Sequence, residues 1–135
     1  MRHQQIQAEW KRALKSLQAA ETLQVQGLTE DAISRAYYAV MHAAKAALLV
    51  HDAVAERHAA VRRLFGKVLV TAGELEKEWA EILAREQDQR GAAEYNVDLE
   101  IDLEIAGRLI HDARRFVERI AAYLASKGVP LERRH

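Results

Sequence analysis

Cysteine is absent from these 135 residues, proline occurs once and glycine six times. Without cysteine there is no disulfide framework, no thiolate zinc site and no cysteine nucleophile. Any chemistry therefore belongs to histidine, arginine, tyrosine and carboxylates. With half the residues apolar and 30% charged, the scarcity of proline and glycine excludes disordered, collagen-like and low-complexity chains. An excess of one charge sign is also missing, since 20 Lys/Arg balance 20 Asp/Glu. The chain is thus no polyelectrolyte that coats nucleic acid or an anionic membrane, and binding of that kind needs a local patch. Nowhere does an apolar run approach the roughly 18–20 residues of a membrane span, and the start, MRHQQIQAEWKRALKS, has no apolar core like that of a signal peptide. The expectation is a cytoplasmic protein without membrane contact. At this length it forms one domain around one core, over residues 1–128, with 129–135 as a frayed tail.

What is abundant is alanine, leucine, glutamate, arginine and glutamine, which favour helix, while β-branched and aromatic residues are sparse. Ile6, Trp10, Ala13, Leu17 and Ala20 recur at helical spacing and predict a first helix over about 3–25, ended by Gly27. Thr29 reads as the N-cap of a second helix to Val50, with Leu28 stapled to Ile33. Seven alanines between Ala32 and Ala47 suit a helix packed on several sides, so this one is central. A third helix spans about 56–72, burying Val61, Leu64, Phe65, Val68 and Leu69 before Gly73. Leu75, Trp79, Ile82 and Leu83 mark a fourth that fades in AREQDQRGAAEYN, where Gly91 and Asn96 predict a bend. VDLEIDLEI alternates like a strand but has no partner segment, whereas Leu99, Leu103, Ala106, Ile110, Ala113, Val117, Ile120 and Leu124 continue a helical stripe. A fifth helix over about 98–126 follows, capped by Asp98 or Asn96 and stopped at Gly128–Pro130. The fold class is all-α, an up-and-down bundle of four or five helices.

Charge is uneven along this chain. Arg57 to Gly73 carries Lys/Arg and His58 without a carboxylate, whereas Glu74 to Glu104 is strongly acidic. Either the basic third helix faces phosphate and the acidic stretch takes a basic partner, or both are solvated faces. In the second helix Arg35, Tyr38, His42 and Lys45 share one face. A guanidinium beside an imidazole suits a phosphodiester, because one holds charged oxygens and the other moves a proton near neutral pH. The structural alternative pairs Arg35 with Glu94 or Asp98 and makes His42 a hydrogen-bonded interior histidine.

AISRAYYAVMHAAKAALL, then HAAVRRLF, then QRGAAEYN ahead of a long last helix resemble the HEPN superfamily, in particular its small stand-alone branch, over about residues 10–125. The resemblance implies a helical bundle that forms a homodimer and pairs with a minimal nucleotidyltransferase as toxin and antitoxin. It also implies that active members are metal-independent endoribonucleases, using an arginine, four to six intervening residues and a histidine. Those positions fall on Arg90 and Tyr95, so the proton-transfer histidine is replaced. A phenol with an ordinary pKa near ~10 is a poor general base beside histidine at ~6.5.

No phosphate loop, HExxH or nucleophile elbow is present, and Ser16, Ser34, Ser126 and the threonines sit in helix or cap positions. His51, Asp52, Glu56 and His58 have ligand-type side chains but match no metal spacing, so neither metal nor cofactor is expected. Trp10, Trp79, Phe65 and Phe116 belong to core or dimer interface. Two functions follow. In one, Arg35, Tyr38 and His42 bind a nucleotide or RNA phosphate in a non-catalytic module that docks on a nucleotidyltransferase. In the other, Arg90, Tyr95 and His58 form the catalytic set of an RNA-cleaving toxin, with Arg35 beside Arg90 on the scissile phosphate and His58 or His42 activating the 2′-hydroxyl to leave a cyclic phosphate. Both require Arg35, Tyr38, His58, Arg90 and Tyr95 to converge, and residues 97–110, with two apolar edges, are offered to a dimer partner.

Overall fold

The computed structural model describes residues 2–131 except 96–102, and for 93–95 the backbone alone. Five α-helices carry the fold: α1 (His3–Val25), α2 (Thr29–Leu49), α3 (His58–Leu64), α4 (Lys77–Tyr95) and α5 (Leu103–Ser126). A π-helical segment, Phe65–Val70, continues α3. Among the described residues there is no strand, and the architecture is an all-α bundle. The expected caps Asn96 and Asp98, and Leu99 and Ile101 of the proposed dimer edge, lie outside the described residues.

All five residues of the predicted α1 stripe are buried. The helix closes as a Schellman turn: Gly27 sits at φ +77°, its N–H bonds Gln24 O at 3.1 Å and the Leu28 N–H bonds Leu23 O at 2.9 Å. This compact turn overturns the expected cap. Thr29 is already the first residue of α2, Leu28 precedes it without a side-chain cap bond, and Leu28 is 47% exposed rather than stapled. The Leu28 carbonyl accepts the Ala32 N–H at 2.9 Å, so the helix restarts a residue before a Thr29 cap would allow.

Each of the seven alanines of α2 is buried, and the helix packs against α1, α3, the π segment, α4 and α5. The third helix begins at His58 rather than 56 and widens after Leu64, with the Thr71 N–H reaching back to Gly66 O at 2.8 Å. Residues four apart overshoot one turn of an α-helix and undershoot one of a π-helix. Changing from one to the other midway keeps Val61, Phe65 and Leu69 on one buried line. The rings of Phe65 and Trp79 pack on Phe116 at 5.6 and 6.3 Å, and Trp10 is buried as well.

No bend occurs at Gly91, because α4 runs through it to Tyr95. The tertiary contacts of Leu83 and Arg90 outweigh the ~1 kcal/mol that an interior glycine costs a helix. Nor does packing stop at residue 128: Val129, in the segment expected to fray, is 3% exposed, and Gln7 donates to the Pro130 carbonyl. Of the second proposed dimer edge, Leu109 is used within the chain, packing on Ile33 and Ala106, whereas Leu103 of the first edge is 73% exposed.

The acidic stretch is tied inward. Arg119 holds Glu76 through two bonds of 2.9 and 3.1 Å, Arg115 reaches Glu78 and Asp112, and Lys127 reaches Glu74 at 2.9 Å. The Arg119 and Trp79 donors hold the Glu76 carboxyl down at about 2 against the opposing effect of burial. Part of the acidic face thus binds the bundle's own arginines.

Glu86, on α4, is the exception. It is 2% exposed, neither carboxylate oxygen has a hydrogen-bond partner among the described residues, and burial, reinforced by Asp112 and opposed by Arg85, pushes its pKa well up. Between the ordinary carboxylate pKa and this raised one, the folded chain binds more protons than the unfolded chain, so stability falls as pH rises. Glu86→Leu removes the buried polar group, and we expect it to stabilise the fold at pH 7 by about 1–3 kcal/mol. The gain should shrink toward pH 4, as read by thermal melts across that range. Equal melting shifts at both pH values would show that Glu86 is ionised in the folded state.

Candidate functional site

Tyr38 is the hub of a polar cluster drawn from three helices. From α4, the Arg90 guanidinium donates to the Tyr38 hydroxyl at 3.0 Å and lies 5.3 and 5.5 Å from the ring centres of Tyr38 and Tyr37. His58, the first residue of α3, meets Tyr37 at 5.3 Å and Tyr38 edge-on at 6.2 Å. On α2 itself, Arg35 lies 5.8 Å from the Tyr38 ring and His42 stacks on it at 6.4 Å. Arg35, Tyr38, His42, His58 and Arg90 are therefore brought together; the Tyr95 side chain lies outside the described residues.

This local geometry follows from the fold. Arg35, Tyr38 and His42 share a face of α2 because they are spaced at three and four, and the continuation of α4 past Gly91 carries Arg90 to that face. Cation–π contact with two phenol rings holds the guanidinium in one orientation. Burial pushes the Tyr37 phenol up to about 12 despite the nearby Arg90 charge. Burial also lowers the His58 pKa, helped by Arg90, Lys45 and His42. His58 is thus a neutral imidazole at pH 7, able to accept a proton beside a fixed positive charge.

The interior alternative for His42 also holds. Its Nδ1 lies 2.6 Å from a Glu9 carboxylate oxygen, and Lys45 reaches the other oxygen of Glu9 at 3.3 Å. Burial acts to raise the Glu9 pKa, but bonds from His42 and the Lys45 charge outweigh it, so the carboxyl stays below its usual range. Arg35 is exposed, and no carboxylate among the described residues reaches it.

Three further residues complete the surroundings. Arg12, Lys15 and Ser16 of α1 join Arg35, Tyr38 and His42 around an open cleft of about 470 Å³. The sequence pattern does not single out Arg12, Lys15 or Glu9. Their helical spacing on α1 is visible there, but only the antiparallel pairing of α1 with α2 sets them opposite Arg35 and His42.

The ligand-type junction after α2 is used differently. His51 Nε2 lies 2.6 Å from the Tyr123 hydroxyl and 3.3 Å from Glu74, while Asp52 pairs with Arg2 at 3.2 Å. His58 belongs to the Tyr38 cluster instead. Among the described residues no three metal-type side chains gather, and no helix is long and apolar enough to cross a membrane.

Known proteins match this chain over the same stretch. The HEPN domain matches residues 6–128. A Methanocaldococcus jannaschii protein named as a candidate toxin is 37% identical over 117 residues, which make up 87% of each chain. A second protein of that organism, named likewise, is 32% identical over 118 residues, 87% of this chain and 80% of that one. A UPF0332 protein of Gloeobacter violaceus is 32% identical over 115 residues, covering 84% of this chain and 91% of its own.

Replacing Arg90 with methionine keeps bulk against the two phenol rings and removes the charge facing His58. The His58 imidazole should then titrate at higher pH than in the unaltered protein, read from its NMR signals between pH 4 and 8. An unmoved titration would mean that burial, with Lys45 and His42, depresses it without Arg90.

Proposed function

The chain belongs to the HEPN domain family, and we propose that it is a toxin-type member whose Tyr38 cluster holds RNA or nucleotide phosphate, docking as a homodimer on a nucleotidyltransferase partner. The observation that carries this reading is the Arg90 guanidinium held between two phenol rings beside Arg35. Two fixed cations with a tyrosine between them suit a phosphate flanked by a base or ribose. Arg63 of α3 and Lys67 of the π segment that continues it add basic side chains to this reading. Names of related proteins support the toxin character, and the resemblance of QRGAAEYN to the family motif supports the partner.

A catalytic reading assigns metal-independent RNA cleavage to Arg90, Tyr95 and His58. Its support is the neutral His58 imidazole near Arg90. Tyr95, at the motif position, would donate a hydrogen bond rather than take a proton.

Purified protein in EDTA should bind short single-stranded RNA. Its affinity should fall with salt, and Arg35→Gln and Arg90→Gln should each flatten that dependence by about one phosphate contact. Salt dependence unchanged in both variants would remove the phosphate from this cluster. In the same preparation Tyr95→His should raise cleavage tenfold or more, within the ~10²–10⁴-fold range of a placed general base. No gain would leave the motif position without a proton-transfer role.

A further inference from the structure

We propose that the groove between α1 and α5, on the side of α1 away from the Tyr38 cluster, is a docking site for an amphipathic helix of a partner protein. The helix that fits it carries a stripe of large aliphatic side chains, a basic edge toward α5 and an acidic edge toward α1. The proposal is independent of the phosphate reading of the Tyr38 cluster.

The two helices run antiparallel: Glu21, late in α1, meets Arg114 of α5 at 2.8 Å, and Gln7, early in α1, donates to the Pro130 carbonyl beyond the end of α5. An open groove of about 540 Å³ remains between them. Trp10, Leu17, Val117 and Val129 are buried and form its floor. Leu14, Leu131 and Ala121 are partly exposed along it, and Ala122 and Ala125 are exposed. From Arg114 to Ala125 the groove follows α5 for about three turns. Alanines on that wall let the backbone of a third helix come close, while Leu14 and Leu131 offer it aliphatic surface to bury. The polar cleft is separate, because Arg12, Lys15 and Ser16 lie on the opposite side of α1 from Trp10, Leu14 and Leu17.

Charge identifies the occupant. Between Asp112 and Arg119, every charged side chain of α5 but one is engaged in an ion pair within the chain: Asp112, Arg114, Arg115 and Arg119 all have partners. The exception is Glu118, which lines the groove, is exposed and makes no ion pair among the described residues. Along the other edge, Lys11 falls between Gln7 and Leu14 at helical spacing and is likewise exposed, with no ion pair among the described residues. An apolar floor between two uncompensated charges of opposite sign is complementary to a helix whose aliphatic stripe has cations on one flank and carboxylates on the other. An occupant of a single charge sign satisfies only one rim.

The test uses the full chain and three synthetic peptides of about 14 residues, each with leucines along one face and held helical by a lactam bridge on the opposite face. The first carries lysines on one edge of the leucine stripe and glutamates on the other, the second lysines on both edges, the third glutamates on both. Fluorescence anisotropy should show the mixed peptide binding about fivefold more tightly than either of the others, the scale of an exposed ion pair. Glu118→Lys should shift the preference to the all-glutamate peptide, and Lys11→Glu should shift it to the all-lysine peptide. Ala122→Gln with Ala125→Gln puts polar side chains at two exposed helix positions. This double variant should keep its melting temperature and weaken the mixed peptide about tenfold or more. Binding that persists in the double variant, or a charge preference indifferent to both rim substitutions, overturns the proposal. An unaltered chain that sediments as a dimer and becomes a monomer in the double variant also overturns it, since a second copy then fills the groove. Failure of all three peptides to bind overturns it too, and saturable binding of dodecylamine in that case assigns the groove to a small amphiphile.

Discussion

The whole bundle depends on how closely other helices can approach α2. Alanines at 32, 36, 39, 43, 44, 46 and 47 are all buried and leave this helix narrow on several sides, so α1, α4 and α5 pack directly around it. Dispersion and apolar burial then act along its full length. The larger side chains of α2 have only the remaining surface to occupy. Arg35, Tyr38 and His42 emerge along one such strip, which α1, α3 and α4 border. The polar cluster is a consequence of core packing as much as of its own chemistry.

Charge is distributed with the same logic. At one end of the bundle Glu74 and Glu76 gather Lys127, Arg119, Tyr123 and His51 into a closed network. Exposed pairs of this kind contribute only modestly to stability, but they cancel the acidity of the segment after Gly73. At the α1–α2 face the cations are left open. A chain of balanced overall charge therefore presents a locally positive surface. Burial of Glu86 on α4 works against its ionisation.

Family, helical class and most element positions are legible in the sequence because they rest on local properties. The α1 stripe of Ile6, Trp10, Ala13, Leu17 and Ala20 is buried as its spacing predicts, and the aromatic residues Trp10, Phe65, Trp79 and Phe116 lie in the core. The departures fall at helix ends and breaks. Thr29 loses its cap role to a turn formed by backbone bonds, and α4 continues through Gly91 just after Arg90, which is bonded to Tyr38 of α2. The π segment leaves no local signal, since its cause is the need to keep Val61, Phe65 and Leu69 on one line against the core.

Within the candidate site, spacing alone places Arg35, Tyr38 and His42 on a common face, because the period of one helix is a local quantity. Contact between Arg90, Tyr38 and His58 is beyond the reach of spacing, as it requires α3 and α4 to meet α2 at a common level. Glu9, Arg12 and Lys15 enter only through the tertiary structure. Whether a charge is cancelled or left open depends on which residues of another helix stand opposite it, and that register is set by packing of the whole core.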